Sequence, residues 1–196
     1  MNASSTVIAT EEFGRNRIHP KKFALWVACA SILMMFAAFT SAYIVRQAAG
    51  NWLEFRLPDL FYFNTVVILL SSILLHGSFK AFRKGNARRY RALMAGAFLC
   101  GTAFLALQYQ AWLSLEEIGV GLTTNPSGSF VYVISGVHAA HVLGGLGALL
   151  VAMLHAFLLP YKVTPARKLR FEMTTIYWHF VDFLWIYLLL FMSLQR

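Results

Sequence analysis

Charge is scarce in this sequence. Only 13% of the 196 residues are Asp, Glu, Lys or Arg, against 59% hydrophobic residues. That balance excludes a soluble domain of this size and makes lipid the natural solvent. Cysteine is scarcer still: Cys29 and Cys100 stand alone in separate apolar segments, with no CxxC or Cys/His spacing beside them. They read as small core residues and leave no thiolate metal motif. Proline is missing from every long apolar stretch; Pro20 precedes the first, and Pro58, Pro126, Pro160 and Pro165 fall between stretches. Because proline removes a backbone donor and clashes with the preceding turn, its absence leaves uninterrupted helices. Met1 to Lys22 have neither the short apolar core nor the small-residue cleavage site of a secretory signal. The first apolar stretch is therefore expected to stay in the mature protein.

What is present is apolar length. Five stretches, at about 23–45, 60–82, 92–113, 129–159 and 174–194, each approach or exceed the roughly 20 residues needed to cross about 30 Å of hydrocarbon. Unsatisfied backbone is costly in lipid, so helices are the expected spanning form. The fold class is an all-α, polytopic membrane bundle of five transmembrane helices. It forms one domain, 23–196, preceded by a cytoplasmic segment, 1–22.

The net charge of +9 is a topology signal. Arg15, Arg17, Lys21 and Lys22 precede the first stretch. Lys80, Arg83, Lys84, Arg88, Arg89 and Arg91 lie between the second and third, and Lys162, Arg167, Lys168 and Arg170 between the fourth and fifth. The alternate ends keep only Arg46, Arg56 and Arg196, against Glu54, Asp59, Glu116 and Glu117. The positive-inside rule then sets the amino terminus in the cytoplasm and the carboxyl terminus outside. With no soluble surface to carry the basic residues, nucleic acid is not an expected partner.

The fourth stretch carries two patterns. Gly136, Ala140, Gly144, Ala148, Ala152 and Ala156 recur every four residues, a face of small side chains that would let another helix approach closely. His138 and His141 share another face, with His155 about four turns further on. Two stacked haems would need a matching histidine pair on a facing helix. The second stretch has only His76 and the fifth only His179. A mononuclear metal site lacks a third ligand at fixed spacing. The reading with most support is histidines hydrogen-bonded to neighbouring helices, with no catalytic residue, metal or cofactor site on this chain.

The fifth stretch holds Asp182, the one acid well inside a span, with Trp178 four residues before it, His179 three before and Trp185 three after. A buried ionisable group should face protein and find a partner. Two readings stand: a polar cluster that fixes helix packing, or a proton relay, for which a single carboxylate is a short supply. Tyr177 and Trp178 sit near the cytoplasmic end, where aromatic rings anchor the interface. Glu172, beside Arg170 and Lys168, lies at headgroup depth and either orders a phospholipid or forms exposed ion pairs.

The strings TIYWHFVDFLWIYL and SGVHAAHVLGG resemble cytochrome c oxidase subunit III. Tyr177, Trp178, His179, Phe180, Val181, Asp182 and Trp185 carry the first match, and Gly136, His138, His141, Val142 and Gly145 the second. Phe171 and Glu172, Asn64 and Thr65, and Gly101, Phe104 and Gln108 agree more weakly. The resemblance covers about residues 25–194.

It implies a short, five-helix bacterial subunit of the cytoplasmic membrane with no haem or copper of its own. Haem and copper are expected in the partner, subunit I of a haem–copper oxidase. It also implies ordered phospholipids in a cleft, support of proton uptake over many turnovers, other oxidase subunits as partners, and membership of a larger respiratory supercomplex as an open option. The chain departs from the family at Ala38 and Ala111, where a glutamate is common, so no role of those carboxylates carries over. Two alternatives stay open: an accessory subunit of a nitric-oxide reductase system, and, from another class, a small transporter or proton channel using His138, His141 and Asp182.

Overall fold

The computed structural model describes residues 19–158, 160–161 and 163–195. Of the expected segment 1–22, residues 1–18, with Arg15 and Arg17, lie outside the described residues, as do Lys162 and Arg196. Five helices follow one another: α1 Pro20–Ala48, α2 Leu60–Arg83, α3 Ala87–Glu117, α4 Pro126–Leu158 and α5 Pro165–Leu194. All five are long and apolar enough to cross a membrane, and no strand occurs among the described residues. The chain is a multi-pass membrane protein.

α3 and α5 start five and nine residues before the apolar stretches read from sequence, and α1 and α4 three, and the reason is local. Hydropathy marks hydrocarbon, whereas helices of 24 to 33 residues reach about 36 to 50 Å and continue into the headgroups. Pro20, Pro126 and Pro165 do not lie between helices; each opens one, at the first position, where a missing N–H costs nothing. Side chains satisfy the exposed amides there. Asn86 Oδ1 accepts from Arg89 N at 3.1 Å, Asn125 Oδ1 from Ser127 N at 3.0 Å and Thr164 Oγ1 from Arg167 N at 3.3 Å. Gly85, at φ +80°, closes α2 in a left-handed turn, and Asn86 N reaches back to Ala81 O at 3.1 Å.

The short α2–α3 connection forces the most extensive contact in the bundle. Asn64, Ser71 and Ser78, spaced by sevens along α2, bond to α3 as polar rungs. Asn64 Nδ2 donates to Gln108 Oε1 at 3.1 Å, Ser71 Oγ to Ala97 O at 2.7 Å and Ser78 Oγ to Tyr90 O at 2.9 Å. Small hydroxyls and amides at heptad spacing let two helices approach while leaving few polar groups to lipid. α3 also packs on α4, α4 on α5 and α5 on α2, so α2 to α5 form a closed ring. Trp178, Val181, Trp185, Leu188 and Met192 line the inward face of α5 at three- and four-residue spacing. α1 stands outside the ring, touching only α4 and α5.

Two rims follow from these contacts. Lys22 and Glu172, Tyr161 and Phe82, and Arg91 and Ala156 meet at the basic rim. Tyr43 and Gln195, Leu53 and Asn125, and Tyr62 and Ser193 meet at the opposite one.

Candidate functional site

The buried centre is aromatic. His138 on α4 is fully buried, its ring 4.9 Å from that of Trp185, with Phe104 and Phe36 presenting edges at 6.0 and 6.3 Å. Neither ring nitrogen of His138 has a hydrogen-bond partner. The expectation of a histidine bonded to a neighbouring helix therefore fails here, because α3 and α5 offer only apolar rings and His138 fills space as one more flat ring. His141 fails it differently, its Nδ1 lying 2.8 Å from Val137 O of its own helix. Trp185 is satisfied across the ring, donating from Nε1 to Thr65 Oγ1 at 2.9 Å.

Asp182 does not join the residues around it in sequence directly. Its carboxyl is buried, and Ser72 Oγ of α2 is the hydroxyl near enough to act on it; Trp178 Nε1 has no hydrogen-bond partner. His179 turns to α2 as well, where its Nδ1 meets Ser72 Oγ and its ring lies 5.7 Å from that of His76. Ser72 thus stands between His179 and Asp182, while Trp178 and Trp185 take no part in that polar contact. Facing different neighbours, the two indoles are separated from it by packing. Among the described residues no group of three or more His, Cys, Asp or Glu is placed to hold a metal ion.

The small-residue face of α4 is the larger surprise. Gly136 is loosely placed, a Cβ there standing 3.9 Å from Trp112, and Ala140 and Ala148 are exposed. The close approach occurs one residue away, at Gly145, where a Cβ would lie 3.0 Å from the Trp178 ring. Gly144, Ala148, Ala152 and Ala156 instead form one wall of a cleft of about 840 Å³. Lys21 and Leu25 of α1 face that wall, and Met173, Thr174 and Tyr177 of α5 form the floor. Tyr177 OH donates to His141 O at 3.2 Å, which fixes the ring beside Gly144.

The mouth of the cleft is cationic. Lys21, Arg167 and Arg170 line it, His155 among them, and Tyr161 and Tyr90 close the side toward α2 and α3. Tyr161 OH donates to Phe82 O at 2.6 Å, and burial raises that phenol, which keeps it a donor. Glu172 pairs with neither Arg170 nor Lys168 as the sequence suggests. It meets Lys22 Nζ at 2.6 Å, joining α5 to α1. An apolar trough under a ring of cations suits an amphiphile with an anionic headgroup.

Sequence reasoning missed Tyr90, Tyr161 and the Asn64–Gln108 pair as structural polar groups, although the seven-residue spacing of Asn64, Ser71 and Ser78 is a readable signal. Of the two family departures, Ala38 is exposed on α1 and Ala111 is fully buried on α3. Cys29 and Cys100 are free and only half-buried, so neither is a core residue.

Residues 30–195 match the cytochrome c oxidase subunit III family. A probable cytochrome c oxidase subunit 3 of Nocardia farcinica is 31% identical over 172 residues, covering 83% of this chain and 80% of that protein. A probable cytochrome c oxidase subunit 3 of Mycobacterium bovis is 30% identical over 192 residues, 95% of this chain and 93% of its own length. The cytochrome c oxidase subunit 3 of Thermostichus vulcanus is 29% identical over 179 residues, covering 87% and 86%.

Proposed function

The chain belongs to the cytochrome c oxidase subunit III family, and from this we propose that it is the non-redox subunit that stabilises a respiratory haem–copper oxidase. As a subunit III it associates with other oxidase subunits. Haem and copper sit in the partner catalytic subunit, and this chain supplies packing, bound phospholipid and sustained proton uptake. On this reading the membrane is a bacterial inner membrane, and the positive-inside rule supports a cytoplasmic basic rim with the amino terminus inside.

The observation that carries the lipid part is the cleft. Its wall of Gly144, Ala148 and Ala152 leaves room for an acyl chain, and Lys21, Arg167 and Arg170 stand where a phosphate would lie. The buried centre supports a scaffold reading, since the His138 ring lies tilted against Trp185 with neither nitrogen hydrogen-bonded. A proton channel through this chain alone would need a continuous donor–acceptor series, and among the described residues the contacts of Asp182 run to Ser72 and His179 while His138 has no hydrogen-bond partner.

Purification tests the proposal. Affinity-tagged chain extracted in mild detergent should bring with it a haem–copper catalytic subunit, with haem and copper in the preparation. Isolation of the chain alone overturns it, and non-haem iron in place of copper would move the assignment to a nitric-oxide reductase system.

A further inference from the structure

Helix α1 is held unevenly along its length. Its one inward seam runs Lys22, Leu25, Cys29, Ile32, Phe36, Thr40 and Tyr43, three or four residues apart. At the opposite rim the seam is locked. Phe36, Thr40 and Tyr43 are buried, and Thr40 Oγ1 bonds Tyr187 OH at 3.0 Å. Tyr43 OH and Gln47 Nε2 both donate to Gln195 O, at 3.1 and 3.0 Å. The Tyr43 ring is also wedged among Trp52, Phe130 and Phe191 at 4.6 to 5.7 Å.

At the basic rim nothing comparable holds it among the described residues. No residue from Pro20 to Ser31 is buried. The reason is the facing wall: Gly144, Ala148 and Ala152 carry no side chain long enough to cross the cleft to Leu25. The bond that spans it is the Lys22–Glu172 ion pair, Nζ to Oε1 2.6 Å, with both side chains about 30% exposed, 28% and 32%. Past Pro20 the helix contains no glycine or proline and so no built-in kink, and any displacement of its basic-rim half is a gentle bend away from the buried Phe36–Tyr43 anchor.

We propose that the basic-rim half of α1 is a lateral gate to the cleft, latched by the Lys22–Glu172 ion pair, through which an anionic amphiphile enters from the bilayer. This rests on the lipid reading of the cleft given above. A partly exposed ion pair is weak and reversible, as a latch has to be, whereas a buried apolar seam would not open. Lys21, Arg167 and Arg170 stand beside the latch and draw an anionic headgroup to the mouth. The gate opens sideways because the apolar chains of such a molecule cannot pass through water to reach the trough.

The test uses the intact oxidase complex in lipid nanodiscs, with Cys29→Ser and Cys100→Ser as background. Spin labels at Ala24→Cys and Arg88→Cys, both exposed, report the distance from α1 to α3 at the basic rim. Labels at Ile44→Cys and Leu113→Cys report the opposite rim. The parent is expected to give one narrow distance population for each pair. Glu172→Gln and Lys22→Gln should each add a longer population for the first pair and leave the second unchanged. The exchange Lys22→Glu with Glu172→Lys should restore the narrow one.

Unchanged distances in both single variants overturn the gate, as does an exchange variant as broad as the singles. Equal broadening at the opposite rim overturns it too, since that is detachment of the whole helix. Phospholipid bound to the same samples, read by mass spectrometry, keeps the two claims apart. Lipid present with unmoved distances sinks the gate alone; lipid absent from every sample with widened distances sinks the amphiphile reading and leaves a moving helix.

Discussion

Gly101 on α3 and Trp178 on α5 are packed so closely that a Cβ on Gly101 would stand 2.8 Å from the indole ring. On the other side of the same ring, Gly145 of α4 would bring a Cβ to 3.0 Å. Two glycines from two helices thus form the slot that seats a fully buried tryptophan. Leu146 closes the end of the slot, 2.9 Å from the Gly101 position, so the ring has little room to retreat. Gly101→Ala should destabilise the subunit by about 1–3 kcal/mol through overpacking. Gly147→Ala, where nothing lies within 4 Å, should be tolerated. Thermal dissociation of this chain from the purified oxidase ranks the two.

The Trp185–Thr65 bond gives a second prediction. Thr65 Oγ1 is the acceptor for a fully buried indole N–H at 2.9 Å. Thr65→Val keeps the shape and removes the acceptor, so it should cost about 1–3 kcal/mol, the penalty of an unsatisfied buried donor. Thr65→Ser should remain near the parent. Equal stability of Val and Ser variants in the same dissociation assay would mean that the bond does not hold α2 to α5.

Cleft volume gives the third. Ala148→Leu and Ala152→Leu put side chains into the trough without touching the Trp178 slot. Each should lower the phospholipid that co-purifies with the complex, while subunit composition stays the same. Native mass spectrometry reads both quantities, and undiminished lipid in the double variant would show that the small-residue wall is not the lipid surface.

Asp182 gives the fourth. Ser72 Oγ acts on its carboxyl, and an amide oxygen can accept from the same hydroxyl, so Asp182→Asn, of nearly the same shape, should assemble like the parent. Asp182→Ala leaves a void beside Ser72 and should weaken retention of the subunit. Both variants should leave the haem absorbance of the complex unchanged. A shifted haem spectrum would place this carboxyl closer to redox chemistry than the packing does.

Much of the fold was legible in the sequence because hydropathy and length act locally. Five apolar runs, proline at their edges and basic residues at alternate ends require nothing but short-range chemistry. The ends were misjudged for the same reason: Pro165 to Thr174 is polar and helical at once, and hydropathy sees only the first property. The site was less legible. A period of four along Gly136 to Ala156 announces a smooth face but not its occupant, and that face turned out to border open space while Gly145, outside the pattern, makes the tight contact. Lys22 and Glu172 lie 150 residues apart, and only the placement of α1 against α5 brings them together. His138 and His141 looked like paired polar groups because spacing records direction around a helix. It does not record that the neighbours in that direction are Phe36, Phe104 and Trp185.

Removing this chain from the assembled oxidase and following oxygen consumption over successive turnovers tests the scaffold assignment most directly. The depleted complex should keep its haem and copper content, its absorbance spectrum and its initial rate, and then lose activity sooner than the complete one. Loss of haem or copper on depletion, or activity that lasts equally long without the chain, would contradict the assignment.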